Sequence, residues 1–154
     1  LVLLVIIFCV LFESGTDFES VVEKAELYSR HTHVVFALSS FNNLVKNGRM
    51  SKIVGFVANK LGFWCIGIGS EQGTIEIKQK IRGSKKALDA IIEDMKERGY
   101  NCGKVGISHC RNAEFAESVK SAIQSVWDKA EVKIVHARGL CSYYAEKGGL
   151  IIGL

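Results

Sequence analysis

The chain has 154 residues, of which 48% are hydrophobic and 23% charged. That is enough apolar material for one compact domain, and it excludes the disordered and low-complexity classes. The formal charge of +4 admits an anionic ligand but lacks the concentrated basic face expected of a nucleic-acid binder. Five cysteines (Cys9, Cys65, Cys102, Cys110 and Cys141) form no C-x-x-C pair. Their odd number and irregular spacing argue against a disulfide framework and for a reducing cytoplasm, with each thiol expected to serve as a small buried hydrophobe.

Leu1 to Phe12 carries no charge. A signal peptide would need a basic leader and a small-residue cleavage site. A membrane span would need about 20 apolar residues, and Glu13 ends this run early. A helix apolar all round is expected to be buried. The chain starts at Leu and is expected to be a fragment lacking its native N-terminus. Glu13-Ser14-Gly15 stops the helix. Thr16 with Glu19 reads as a capping box for a second helix running to about Arg30, with Val21, Val22 and Ala25 inward. Val34 to Leu38 is a continuous apolar run, as for a buried strand. Ser39 or Ser40 then caps a short helix through Leu44 and Val45 that Gly48 closes. A further short helix from Ser51 to Leu61 is expected to place Ile53, Val54, Val57 and Leu61 inward.

Trp64–Ile68 and Thr74–Ile81 read as a β-hairpin around the turn 69–73. Ile75, Ile77 and Ile81 are expected on one face and Glu76, Lys78 and Lys80 on the other. Helix Ser84–Arg98, strand Val105–Ile107, helix Asn112–Lys129 (Phe115, Ala116, Val119, Ile123 and Val126 inward), strand Val132–Val135, a short helix Cys141–Glu146 and strand Gly149–Leu154 follow. Strands alternating with helices at this spacing predict an α/β fold with a mixed, partly parallel sheet flanked by helices. No linker divides the chain.

Most candidate sites dissolve on inspection. Gly67-x-Gly69-x-x-x-Gly73 is one residue too long for a dinucleotide fingerprint and precedes a strand rather than a helix. His31-x-His33 and His109-Cys110 lack third and fourth ligands at metal-site spacing, so no metal is expected. No nucleophile elbow or catalytic acid pair is readable. Lys78, Lys80, Arg82, Lys85 and Lys86 form a basic stretch: a solvated edge, or a docking surface for an acidic partner. Asn47-Gly48-Arg49-Met50 is more suggestive. A glycine turn between two short helices there projects an arginine, whose fork suits a carboxylate or phosphate.

Three segments in order carry a family resemblance. Phe36-x-x-x-x-Phe41-x-x-Leu44-x-Lys46-Asn47-Gly48-Arg49-Met50 resembles the strand, helix and "L-x-K-G-G-R-I" segment of the DegV family of fatty-acid-binding proteins. Lys80 to Leu88 resembles its "K-x-R-G-x-K-K-A-L" segment. Gly139 to Leu150 falls where the family has a glycine-rich turn and final strand, and Leu1 to Gly15 is similar to the lead-in to its C-terminal domain. The resemblance implies that residues 1–154 form the C-terminal domain of a two-domain fold, with 1–15 as lead-in helix. One long-chain fatty acid would lie between this domain and the missing N-terminal domain, to be presented to a separate fatty acid kinase. It further implies that Arg49 lies near the ligand carboxylate, with Gly48, Ser142, Tyr144 and Gly148 as further ligand-binding positions. Counting back from Gly148, Tyr144 stands where the family's "T-H-T-G-P-G-A" segment has histidine. A tyrosine can donate a hydrogen bond but carries no positive charge.

The first expectation is therefore a non-enzymatic, cytoplasmic fatty-acid carrier domain that needs no cofactor, no nucleic acid and no stable membrane insertion. Binding by this half alone is expected to be weak. One rival is an enzyme domain that takes a small anion or phosphate in the same cleft, with Tyr144 as acid. Another is a purely structural interaction domain, which a structure without any tunnel would favour.

Overall fold

A computed structural model describes residues 2–49, 63–69 and 75–154 of the chain. The expected helix over Ser51–Leu61 and most of the hairpin turn lie outside the described residues. In chain order the elements are α1 (Val2–Glu13), α2 (Phe18–Arg30), β1 (Val34–Leu38), α3 (Asn42–Lys46), β2 (Phe63–Gly69), β3 (Ile75–Arg82), α4 (Ser84–Glu97), β4 (Lys104–His109), α5 (Ala113–Val126), β5 (Glu131–His136), α6 (Gly139–Ala145) and β6 (Leu150–Gly153). The strands form one six-stranded sheet in the order β3-β2-β1-β6-β4-β5. Only the pair β4 and β5, joined by the α5 crossover, is parallel; the others are antiparallel. This is the mixed, helix-flanked α/β sheet that the alternation of elements predicts.

Alternate residues of each central strand divide between two cores, because successive side chains point to opposite faces. Val35 and Ala37 of β1, Ile66 of β2, Val105 and Ile107 of β4, and Leu150 and Ile152 of β6 pack with Ile91 and Met95 of α4 and Val119 and Ile123 of α5. On the opposite face Phe36 and Leu38 of β1, Cys65 of β2 and Ile151 of β6 join Leu44 of α3 and Ala145 of α6 in a smaller cluster.

The hairpin departs from strict alternation. Ile75 and Ile77 pack in the smaller cluster and Ile81 against the larger. The cause is a β-bulge. Ile66 pairs with Gln79, but its neighbour Gly67 pairs with Ile77, so Lys78 is the extra residue and the strand changes face there. A side chain on Gly67 would meet the Glu76 carbonyl at 2.7 Å, which is why the close approach at the bulge needs glycine. The bulge also turns Lys78 toward α4. Its Nζ donates to Asp94 at 2.9 Å while Arg98 Nε donates to the other oxygen at 2.7 Å. Burial alone would push the Asp94 carboxyl up, but bonds from Arg98 and Lys78 outweigh it and hold the group below its ordinary range.

Other expectations need correction. Asp17, not Thr16, caps α2, accepting from Ser20 N at 3.0 Å. Helix α5 ends at Val126, which is exposed rather than inward, because Trp127 leaves the helix to pack edge-on against Tyr100 with ring centroids 5.0 Å apart. Of the five cysteines only Cys65 is buried; Cys9, Cys102 and Cys141 are exposed. The largest departure is α1. It packs chiefly against α2, and Val5, Val10 and Phe12 remain about half exposed, at 54%, 51% and 49%. An all-round apolar sequence specifies that a helix wants cover, not that its own chain supplies it.

Candidate functional site

On the smaller-core face, α3 and α6 leave a groove between them. Phe36, Leu38, Ile75 and Ile151 of the sheet line it together with Leu44 of α3, and Leu140, Cys141, Tyr144 and Ala145 of α6. Its volume is about 200 Å³. Among the described residues lining it, Arg49 is the one that carries a charge.

The turn after α3 places that arginine. Asn47 N donates to Asn43 O at 3.1 Å, Gly48 N to Val45 O at 3.1 Å and Arg49 N to Leu44 O at 2.9 Å. These bonds satisfy carbonyls at the helix end. Gly48 sits at φ 67°, in the left-handed region that glycine adopts without strain. Its contribution is this backbone conformation; it does not line the groove. Arg49 Nε donates to Tyr144 Oη at 3.1 Å, and the guanidinium carbon lies 5.0 Å from the Tyr144 ring centroid, within cation–π range. Among the described residues the Nη atoms of Arg49 have no protein partner. The Tyr144 hydroxyl accepts from Arg49 and keeps its own proton to donate. The pair thus presents several donors at the rim of an apolar trough.

Of the five residues singled out from sequence, the structure brings Arg49 and Tyr144 together, with Gly48 beside them. Ser142 and Gly148 lie apart from the lining. Ser142 Oγ donates to Gly139 O at 2.8 Å within α6. Gly148, at φ 101°, donates its N–H to Cys110 O at 2.8 Å and accepts from Asn112 Nδ2 at 2.8 Å. A side chain there would meet Ser39 Oγ at 2.7 Å. Both residues therefore shape the supports of the groove.

A polar network that sequence reasoning missed ties α6 to α3. Glu146 Oε1 accepts from Asn43 N at 2.6 Å, and Oε2 accepts from Ser40 Oγ and from Asn42 Nδ2, the latter at 3.2 Å. Asn43 Nδ2 donates to Tyr143 O at 2.8 Å, and Asn47 Nδ2 to Tyr143 Oη at 3.0 Å. Ser40 is thus a partner of Glu146 rather than a side-chain cap of α3, whose N-cap is Phe41. No periodicity signals such a pairing, which joins positions about a hundred residues apart. The apolar lining by Leu140 of α6 and Ile151 of β6 was also missed; for Ile151 its alternation with Leu150 and Ile152 on the opposite face was the signal.

Beneath the turn leading into β6, His109 is buried, and its Nδ1 accepts from Asn112 N at 3.2 Å. Burial, then the neighbouring His136 ring, holds it below the ordinary histidine range. Among the described residues no group of three or more His, Cys, Asp or Glu gathers into a metal site. No helix among them is long and apolar enough to cross a membrane.

Comparisons with known proteins place the chain in a family. The family model described as "Uncharacterised protein, DegV family" matches residues 1–153. A DegV domain-containing protein of Streptococcus pyogenes serotype M1 is 43% identical over 143 residues, 93% of this chain and 51% of its own length. The crystal structure of the Streptococcus pneumoniae Fatty Acid Kinase (Fak) B3 protein, loaded with linoleic acid, superposes with a TM-score of 0.94 at 39% identity, over 98% of this chain and 54% of that one. A DegV family protein from Eubacterium eligens loaded with heptadecanoic acid gives a TM-score of 0.94 at 35% identity, over 98% and 55%. The chain therefore spans about half the length of the relatives it matches. With its sequence matched almost end to end and its sheet and helices superposing on those of solved members, this chain belongs to the DegV family.

Proposed function

We propose that the chain supplies one half of a long-chain fatty-acid site, acting as a carrier rather than as an enzyme. The observation that carries this reading is the pairing of an apolar groove with one charged group, Arg49, whose Nη donors are unspent toward the described residues. An acyl tail gains about 0.8 kcal/mol per CH₂ removed from water, and a carboxylate at the rim needs a cation to offset its desolvation. Bound linoleic and heptadecanoic acid in two relatives of the same fold supports the ligand class.

The groove's volume of about 200 Å³ falls below the roughly 300–1,000 Å³ of typical small-molecule sites. We read it as the C-terminal-domain wall of a larger cavity, closed by the further domain that relatives of twice the length contain. The family likeness to the Fak B3 protein supports presentation of the bound acid to a separate kinase in the cytoplasm. Mass spectrometry of lipid extracted from the purified full-length protein tests the reading. Stoichiometric long-chain fatty acid is expected; a purified protein that carries none, and takes up none on incubation with linoleate, overturns it.

A further inference from the structure

Glu146 stands out because its backbone and side chain pull in opposite directions. At φ 53° and ψ 176° it occupies a positive-φ, extended region that essentially glycine alone adopts without strain. It ends α6 two residues after Tyr144. A glycine there would form the turn without strain. What glutamate adds is its carboxylate. Oε1 takes the backbone N–H of Asn43 at 2.6 Å, in the first turn of α3. Oε2 takes the Ser40 hydroxyl and the Asn42 amide. Every partner is a donor, so the arrangement calls for an acceptor-only group, and a carboxylate is one. Such charge-assisted bonds are short and roughly twice as strong as neutral ones.

The two elements joined by this clasp are the two walls of the groove. Helix α3 carries Leu44 and, through its terminal turn, Arg49; α6 carries Leu140, Cys141, Tyr144 and Ala145. The Arg49–Tyr144 contact spans the same two walls. The clasp and this contact therefore bridge one seam at two points, and the width fixed at the first sets the geometry at the second.

We propose that Glu146 is a positioning residue for anion recognition: by locking α6 to the first turn of α3 it fixes the Arg49–Tyr144 pair at the groove rim, with Ser40 as its necessary partner. This rests on the fatty-acid reading above. The role differs from that of the lining residues, since Glu146 need not touch the ligand.

The test measures affinity of the full-length protein for linoleate and for methyl linoleate, which keeps the tail and lacks the charge. Glu146→Gln turns an amide N–H toward a donor, and is expected to weaken linoleate by about tenfold, as for loss of one charge-assisted bond, while changing methyl linoleate by less than about twofold. Ser40→Ala is expected to show the same selectivity more mildly, and Ser40→Thr, which keeps a hydroxyl, to restore linoleate binding. The serine pair also serves if Glu146→Gln does not fold. Equal losses for acid and ester would make the clasp a general support of the groove and overturn the proposal, as would unchanged linoleate affinity in Glu146→Gln and Ser40→Ala. A wild-type protein that binds no linoleate fails the fatty-acid reading itself, and with it this proposal; that outcome is distinct from wild-type binding that the variants leave untouched.

Discussion

The two faces of the sheet are built from the same strands and do opposite things. The α4–α5 face is sealed: Ile91, Met95, Ile107, Ile123 and Ile152 are fully buried, and its one buried carboxylate, Asp94, is paired twice. Among the described residues the α3–α6 face is covered only halfway. Its helices are 5 and 7 residues long, too short to be stable by themselves, and they cover Leu38 and Cys65 while leaving a trough beside them. Apolar side chains alone do not hold this second layer. Polar bonds do much of the joining: Glu146 accepts from the Asn43 backbone N–H, Asn43 donates to the Tyr143 carbonyl, and Asn47 donates to the Tyr143 hydroxyl. One face thus contributes stability and the other a shaped, partly open surface, and substitutions should separate the two.

The largest effect on folding belongs on the sealed face. Ile107 is fully buried on β4, and Ile107→Ala is expected to cost about 3–5 kcal/mol, the lost transfer energy plus the cavity left behind. Chemical denaturation of the full-length protein should show the loss, while ligand affinity of the folded fraction changes little. A large affinity loss without a stability loss would erase the distinction between the faces.

Asp94→Ala comes next. It strands Arg98 beside the core and leaves Lys78 with Glu97 at 3.4 Å; because Lys78 is also a third exposed and partly screened, a cost of about 2–3 kcal/mol is expected rather than the full value for a deeply buried pair. The pH dependence has a definite sign. The folded-state carboxyl is held below its ordinary range, so its contribution is complete above the unfolded value of about 3.9 and is lost as pH falls through the folded one. Wild type should therefore lose more stability than Asp94→Ala on acidification below about pH 4, as measured by thermal melts across that window.

Much of this division was legible from sequence and some of it was not. The continuous apolar run Val34–Leu38 marks a buried strand, and the apolar stripes of α4 and α5 assign the helices of the larger core, because helix periodicity is fixed by backbone geometry. Arg49 and Tyr144 were readable through the segments that resemble the DegV family. The bulge at Lys78 was not: an inserted residue leaves the alternation of Ile75, Ile77 and Ile81 intact on paper while moving Ile81 to the other face. The exposure of α1 was not, since composition records a demand for burial and not its supplier. The Glu146 clasp was not, because a hydrogen bond between distant segments has no local signature.

On the open face, Arg49→Ala is expected to leave stability nearly unchanged, since the side chain lies on an exposed turn. It should cost about 2–5 kcal/mol in fatty-acid affinity, the range for truncating one partner of a desolvated charge pair. Titration calorimetry with linoleate on the full-length protein checks both halves. Unfolding, or wild-type affinity, would make Arg49 a structural residue.

Tyr144→Phe is the smallest and most discriminating change. It keeps the ring over which the Arg49 guanidinium lies, 5.0 Å from the centroid, and keeps the ring as groove wall. It removes only the hydroxyl, which accepts from Arg49 Nε at 3.1 Å and can donate to a ligand oxygen. The contact with Arg49 lies at the surface, so its loss leaves the Arg49 Nε–H to bond water and costs stability little. Toward a bound carboxylate, the loss is one donor, expected to weaken affinity by about 0.5–1.5 kcal/mol. Methyl linoleate, whose ester oxygen is a poorer acceptor than a carboxylate, should lose less. If Tyr144→Phe instead weakens acid and ester equally, the hydroxyl serves only to steer Arg49 or to shape the wall. If it costs as much as Arg49→Ala, the two residues act as one unit, and the tyrosine at this position is as necessary to anion binding as the cation it holds.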